Sequence, residues 1–156
     1  KKIINPYIGK EGYNCVCCCP TNPVGLHLEF WEDGDDILTT WKPSDNYQGW
    51  VHTLHGGVIG MLMDEVAGGV VTRKLQTTGV TSRLEVKYRR PVTTDEKQVT
   101  VRGHIAEQRR NIVTIHLTIE NSKGEVGDEG TAVYFTFDRE RALAMGYSGC
   151  KVEGEE

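Results

Sequence analysis

No long uninterrupted apolar run occurs in these 156 residues. The most apolar stretch, His52–Val71, carries Asp64 and Glu65 in its middle and falls short of the roughly 20 apolar residues that span a bilayer, so no membrane partner is expected. A basic excess is also missing. The formal net charge is −4, which argues against nucleic acid as a partner. There are no internal repeats, no low-complexity linkers and no signal-peptide pattern. A chain of this length without boundary signals reads as one domain in the cytoplasm, with a 38% hydrophobic composition sufficient for a real core.

A disulfide framework is lacking too. Five cysteines are present, four of them within "CVCCCP" (Cys15, Cys17, Cys18, Cys19) and the fifth at Cys150. An odd, clustered set suits reduced thiols better than paired ones. Cys15 and Cys18 make a CxxC, yet no second CxxC or CxxH pair follows to complete a four-ligand zinc site. The expectation is therefore a loop of buried thiols, with no metal and no cofactor.

What is there is regular. "GLHLEFWED" (Gly25–Asp33) and "ILTTWKP" (Ile37–Pro43) alternate on either side of the turn "DGDD" and predict a hairpin. A loop over Ser44–Leu54 leads to a helix from about Gly56 to Leu75. Further strands are predicted at Thr81–Val92, with Leu84, Val86 and Tyr88 on one face, and at Lys97–Gln108, Asn111–Asn121 and Thr131–Asp138. The acidic tail "KVEGEE" is expected to fray. One apolar helix after a hairpin and before a meander spells α+β, an antiparallel sheet packed on a central helix. A helix apolar on most sides needs cover on most sides, from a curling sheet or from a second subunit.

The helix also carries chemistry. Gly57, Gly60, Asp64 and Gly68 fall on one stripe at helical spacing, so the acid is expected in a groove floored by glycines. Each glycine costs about 0.8–1 kcal/mol relative to alanine inside a helix, and that repeated cost favours a ligand groove over tight packing alone. At the helix start, "HGG" (His55–Gly57) offers unpaired backbone N–H groups at the positive dipole end, suited to a developing oxyanion. Asp64 could then act as base or nucleophile. Eight residues of helix separate Gly56 from Asp64 by about 12 Å, too far for one reacting centre. A two-fold dimer pairing Gly56 of one subunit with Asp64 of the other would solve this.

"NPVGLHLEF" (Asn22–Phe30), "YQG" (Tyr47–Gly49), "HGGVIGMLMDE" (His55–Glu65) and "TSRLEVKYRRPV" (Thr81–Val92) together resemble the hotdog-fold acyl-CoA thioesterases. The likeness is to the branch of the phenylacetyl-CoA-pathway, 4-hydroxybenzoyl-CoA and human mitochondrial acyl-CoA enzymes. HGG alone is weak; HGG with the acid at this spacing and then T-x-x-L-x-V-x-Y-x-x-P is specific. The resemblance implies a hotdog fold, a curved antiparallel β-sheet wrapped around one long central α-helix, with residues 22–140 as the domain. Residues 1–21 form an entry segment with the cysteine cluster, and 141–156 a C-terminal tail. It implies hydrolysis of an acyl-CoA thioester by a homodimer with shared sites, alone or doubled into a tetramer. By motif position, the Gly56 N–H would polarise the carbonyl, Asp64 would be the catalytic carboxylate, Thr81 would orient water or acid, and His55 would shape the site. Gln48 would contact substrate from the loop.

Arg90 and Arg109 are the candidates for holding the coenzyme A phosphates. Glu65 lies about 100° around the helix from Asp64 and is expected to find its partner at the dimer interface. Two other readings stay open: a non-catalytic acyl-CoA-binding protein, and a hotdog hydratase or dehydratase using His55.

Overall fold

Alternation decides the middle of the sheet. In the computed structural model, which describes all 156 residues, Val99, Val101, Val113, Ile115, Leu117 and Ile119 are buried in one core, while the residues between them along each strand are more exposed. Six strands result: β1 (Phe30–Asp33), β2 (Asp36–Trp41), β3 (Gly79–Lys87), β4 (Val99–Arg109), β5 (Ile112–Glu120) and β6 (Val126–Thr136). They hydrogen-bond in the order β1-β2-β4-β5-β6-β3, every pair antiparallel. Helix α1 (Gly56–Lys74) packs on this sheet and buries Ile59, Leu62, Met63, Val66, Ala67, Val70 and Val71. A curved antiparallel sheet around one long helix is the hotdog architecture.

Two glycines set how closely helix and sheet approach. A Cβ on Gly130 would lie 2.6 Å from Met63 Sδ, and one on Gly103 would lie 3.1 Å from both Leu117 and Val66. Only a missing side chain lets α1 settle onto these strands.

The strand ends differ from expectation for identifiable reasons. β1 starts at Phe30 rather than Gly25, because Leu26 and Leu28 donate their amides to Val16 and Cys17 and His27 takes a positive φ of 54°. β3 stops at Lys87 because the buried Asp128 carboxylate accepts from the Arg89 and Arg90 amides at 2.7 and 3.1 Å. β6 begins at Val126, five residues before the predicted Thr131.

The C-terminal tail does not fray. A short helix α2 (Arg139–Ala144), capped by Asp138, follows β6. Beyond it, Ile4 N donates to Lys151 O and Glu153 N to Lys2 O, both at 2.8 Å. Arg73, from the end of α1, holds the Cys150 carbonyl at 2.8 Å and Glu155 at 2.9 Å. No helix is long and apolar enough to cross a membrane.

Candidate active site

The start of α1 is built by His55. Its extended backbone (φ −60°, ψ 132°) places the residue as N-cap, and its Nδ1 accepts the Gly57 N–H at 2.8 Å. His55 O accepts from Val58 and Ile59. One amide of the first turn is left without an acceptor, that of Gly56. The HGG motif thus offers a single free donor, because the histidine side chain has taken the second. Tyr88 fixes the next peptide, donating its hydroxyl to Gly56 O at 2.7 Å.

Asp64 sits two turns further along α1, partly buried. Its Oδ1 accepts from Thr81 Oγ1 at 2.8 Å and from the Tyr134 hydroxyl at 3.1 Å. Tyr134 also contacts the Asp64 carbonyl oxygen at 3.0 Å. The two donors are direct cross-strand partners on β3 and β6, beside a register shift between Thr81 and Arg83. A bulge of this kind re-aims side chains locally. Both donors occupy one oxygen, and Oδ2 has no protein partner. Burial raises the Tyr134 hydroxyl pKa well above its ordinary value, so it stays a donor at neutral pH.

Between Gly56 and Asp64 runs an open groove of about 420 Å³ lined by Gly57, Gly60, Met61, Asp64, Leu84, Val86 and Tyr88. It is floored by glycine where expected at Gly57 and Gly60, and walled by the β3 face. Gly68 does not line it: the Tyr134 hydroxyl lies across, 3.4 Å from where a Gly68 Cβ would be. Gly68 opens instead on a second cavity of about 600 Å³, between α1 and the N-terminal segment, which Tyr134, Glu65 and Cys18 also line.

The other expected residues lie apart. Gln48 accepts the His52 amide at 3.0 Å within its own loop. Arg90 is exposed just beyond β3, while Arg109 closes β4 at the opposite end of the sheet, paired to Glu107 at 2.7 Å. One chain therefore does not bring these two arginines together. Glu65 finds its partners within its own chain rather than awaiting a second subunit: Cys18 Sγ donates to its Oε1 at 3.0 Å, and Cys15 Sγ lies 3.5 Å from the same oxygen. Tyr134 is the site residue that the strand pattern over Thr131–Asp138 does not single out; its place opposite Thr81 is visible only once β3 and β6 are paired.

Residues 52–127, which hold the helix start, Asp64 and Thr81, match the family model described as the thioesterase superfamily. The match spans just under half of the chain. A hypothetical thioesterase of Streptococcus pneumoniae, solved with coenzyme A, is similar at 24% identity and a TM-score of 0.64, over 70% of this chain and 85% of that one. The same pneumococcal protein with an aspartate replaced by alanine aligns at 22% identity and a TM-score of 0.66, over 72% and 92% of the two chains. A Haemophilus influenzae thioesterase aligns at 21% identity and a TM-score of 0.65, over 72% and 80%. No curated protein matches the chain. At these identities the solved structures share the fold with this chain.

Proposed function

We propose that the protein is an acyl-CoA thioesterase that works as a homodimer. The observation that carries this reading is one helix bearing two complementary tools: the free Gly56 N–H at its start and, two turns on, the Asp64 carboxylate lining an open groove. The match of residues 52–127 to the thioesterase superfamily model supports thioester hydrolysis, and the coenzyme A bound to the pneumococcal protein supports the substrate class. That protein was also crystallised with an aspartate and, separately, a threonine replaced by alanine, the residue types that the Asp64–Thr81 pair combines.

In the proposed reaction, Asp64 Oδ2 takes a proton from water as the oxygen attacks the thioester carbon. Negative charge gathers on the carbonyl oxygen, which the partner subunit's free helix-start amide stabilises. The C–S bond then breaks, and the departing coenzyme A thiolate recovers the proton to give free acid and thiol. Direct attack by Asp64, forming an anhydride that water opens, has the same balance. Thr81 and Tyr134 hold Oδ1 and leave Oδ2 to react. Two features support a dimer: about 12 Å of helix separates Gly56 from Asp64, and β3 is a sheet edge with one free side. Val80, Leu84, Tyr88, Phe135 and Met61 are exposed around that edge, an apolar band suited to a second copy. Antiparallel pairing there would also carry the partner's Arg109 end toward Arg90, where coenzyme A phosphates could bind.

The deciding experiment measures coenzyme A release from aryl, short-chain and long-chain acyl-CoAs. The expected result is turnover that Asp64→Asn abolishes; normal turnover in that variant overturns the mechanism. Tight acyl-CoA binding without release by the unmodified protein would leave the binding-module reading. A hydratase reading finds little support, because His55 has its Nδ1 committed to the Gly57 amide.

A further inference from the structure

Four ligand-bearing side chains that this chemistry does not use converge beside α1. The ligand atoms of Cys15, Cys17 and Glu65 all lie within 4.8 Å of one another, and Cys18 Sγ is 3.0 Å from Glu65 Oε1. We propose that Cys15, Cys17, Cys18 and Glu65 form a tetrahedral site for one thiolate-seeking divalent cation, with Zn²⁺ the best fit.

The dimensions agree. Zinc–sulfur bonds of about 2.3 Å and zinc–oxygen bonds of about 2.0 Å set sulfur and oxygen about 3.5 Å apart around a tetrahedral ion. Glu65 Oε1 lies 3.5 Å from Cys15 Sγ and 3.0 Å from Cys18 Sγ. Three sulfurs and one carboxylate oxygen suit zinc and exclude magnesium or calcium, which take six or more oxygen ligands.

The backbone fixes the sulfurs in place. Cys17 N donates to Cys15 Sγ at 3.4 Å, an amide–sulfur bond that favours thiolate over thiol. Cys19 N to Cys15 O at 3.0 Å closes the turn, and Leu26 N to Val16 O and Leu28 N to Cys17 O, at 2.9 and 2.8 Å, pin it to the following segment. Cys18 and Glu65 line the cavity of about 600 Å³, which gives the ion an entry path. Binding would release the thiol protons and any proton on Glu65. Three thiolates and one carboxylate leave a site of net charge −2 around the dication, the same as a four-cysteine zinc site. The fourth ligand sits 47 residues beyond Cys18, where no CxxC pair would reveal it. Filling the site would tie the N-terminal segment to the helix that carries Asp64.

The test is a cobalt titration of the full-length chain after treatment with chelator and reductant. The expected result is a thiolate-to-cobalt charge-transfer band in the near ultraviolet with tetrahedral visible bands, saturating at one equivalent and bleached by one equivalent of Zn²⁺. Cys15→Ser and Glu65→Gln should each weaken binding by about tenfold or more, and Cys150→Ser should leave it unchanged. The absence of the charge-transfer band in the unmodified protein overturns the proposal, and so does a band that survives in the Cys15→Ser, Cys18→Ser double variant. The unmodified protein decides the matter even where a variant fails to fold: Zn²⁺ should raise its melting temperature by linkage, and no rise counts against the site.

Discussion

Thr81 and Tyr134 face each other across β3 and β6, and both hydroxyls donate to the same oxygen of Asp64. A carboxylate held on one side by two donors cannot rotate freely, so its other oxygen is aimed. The aim depends on the pair rather than on either residue alone.

That shared acceptor predicts non-additive kinetics. Thr81→Val and Tyr134→Phe each remove one hydrogen bond to a charged group, worth about 1.5–3 kcal/mol, which corresponds to a kcat loss of about 10- to 100-fold. KM should change little, because neither hydroxyl needs to touch the bulk of the substrate. The double variant should lose less than the product of the single losses. Steady-state coenzyme A release checks this, and purely multiplicative losses would show that the two residues act separately.

Gly56 allows its amide to be deleted without deleting its place in the helix. Proline is tolerated at the first helical position, and His55 already has the extended backbone that a following proline demands. Alanine is the control: either residue brings a Cβ to within 3.3 Å of the Tyr88 ring, but only proline removes the N–H. Gly56→Pro should therefore fall about 100- to 1000-fold below Gly56→Ala in kcat, the scale of one lost oxyanion donor. Equal activities would remove the Gly56 amide from the mechanism.

The sequence made some of this legible and hid the rest for physical reasons. Helix α1 and strands β4 and β5 announce themselves because helical apolarity and two-residue alternation follow directly from burial. The start of β6 is disguised: Gly127, Asp128 and Gly130 look like turn residues. Gly130 is there to admit Met63, and Asp128 to capture the amides that end β3. The glycine stripe was readable, but a helical wheel cannot show that Tyr134 crosses it before Gly68. Asp64 could be picked out as the acid in line with Gly57 and Gly60 on an apolar helix. Its second donor and the thiols around Glu65 come from strands and loops distant in sequence, and pairing alone brings them near.

Gly130 itself gives a stability prediction. An added Cβ would meet Met63 Sδ at 2.6 Å and the Glu85 carbonyl at 3.3 Å. The sulfur can shift, while the backbone oxygen on β3 cannot without disturbing the strand that carries Thr81. Gly130→Ala should destabilise the fold by about 1–3 kcal/mol, the usual range for overpacking, read as a lower midpoint in denaturant. An unchanged midpoint would mean that α1 is free to move off the sheet.

Glu65 predicts a pH dependence of stability in the metal-free protein. Burial pushes its carboxyl up to about 7 in the folded state, against 4.5 for the ordinary group. A raised carboxyl means the folded state holds a proton that the unfolded chain would give up. The contribution is therefore fully present below about pH 4.5 and is lost as the pH climbs through 7. The shift corresponds to a loss on the order of 3 kcal/mol. Chelator-treated protein should accordingly become less stable between pH 5 and pH 8, by roughly that amount relative to Glu65→Gln, whose amide cannot ionise. Chemical denaturation of both proteins at several pH values measures the difference. Parallel pH profiles for the two would mean that Glu65 stays ionised in the fold, its charge carried by the thiols around it.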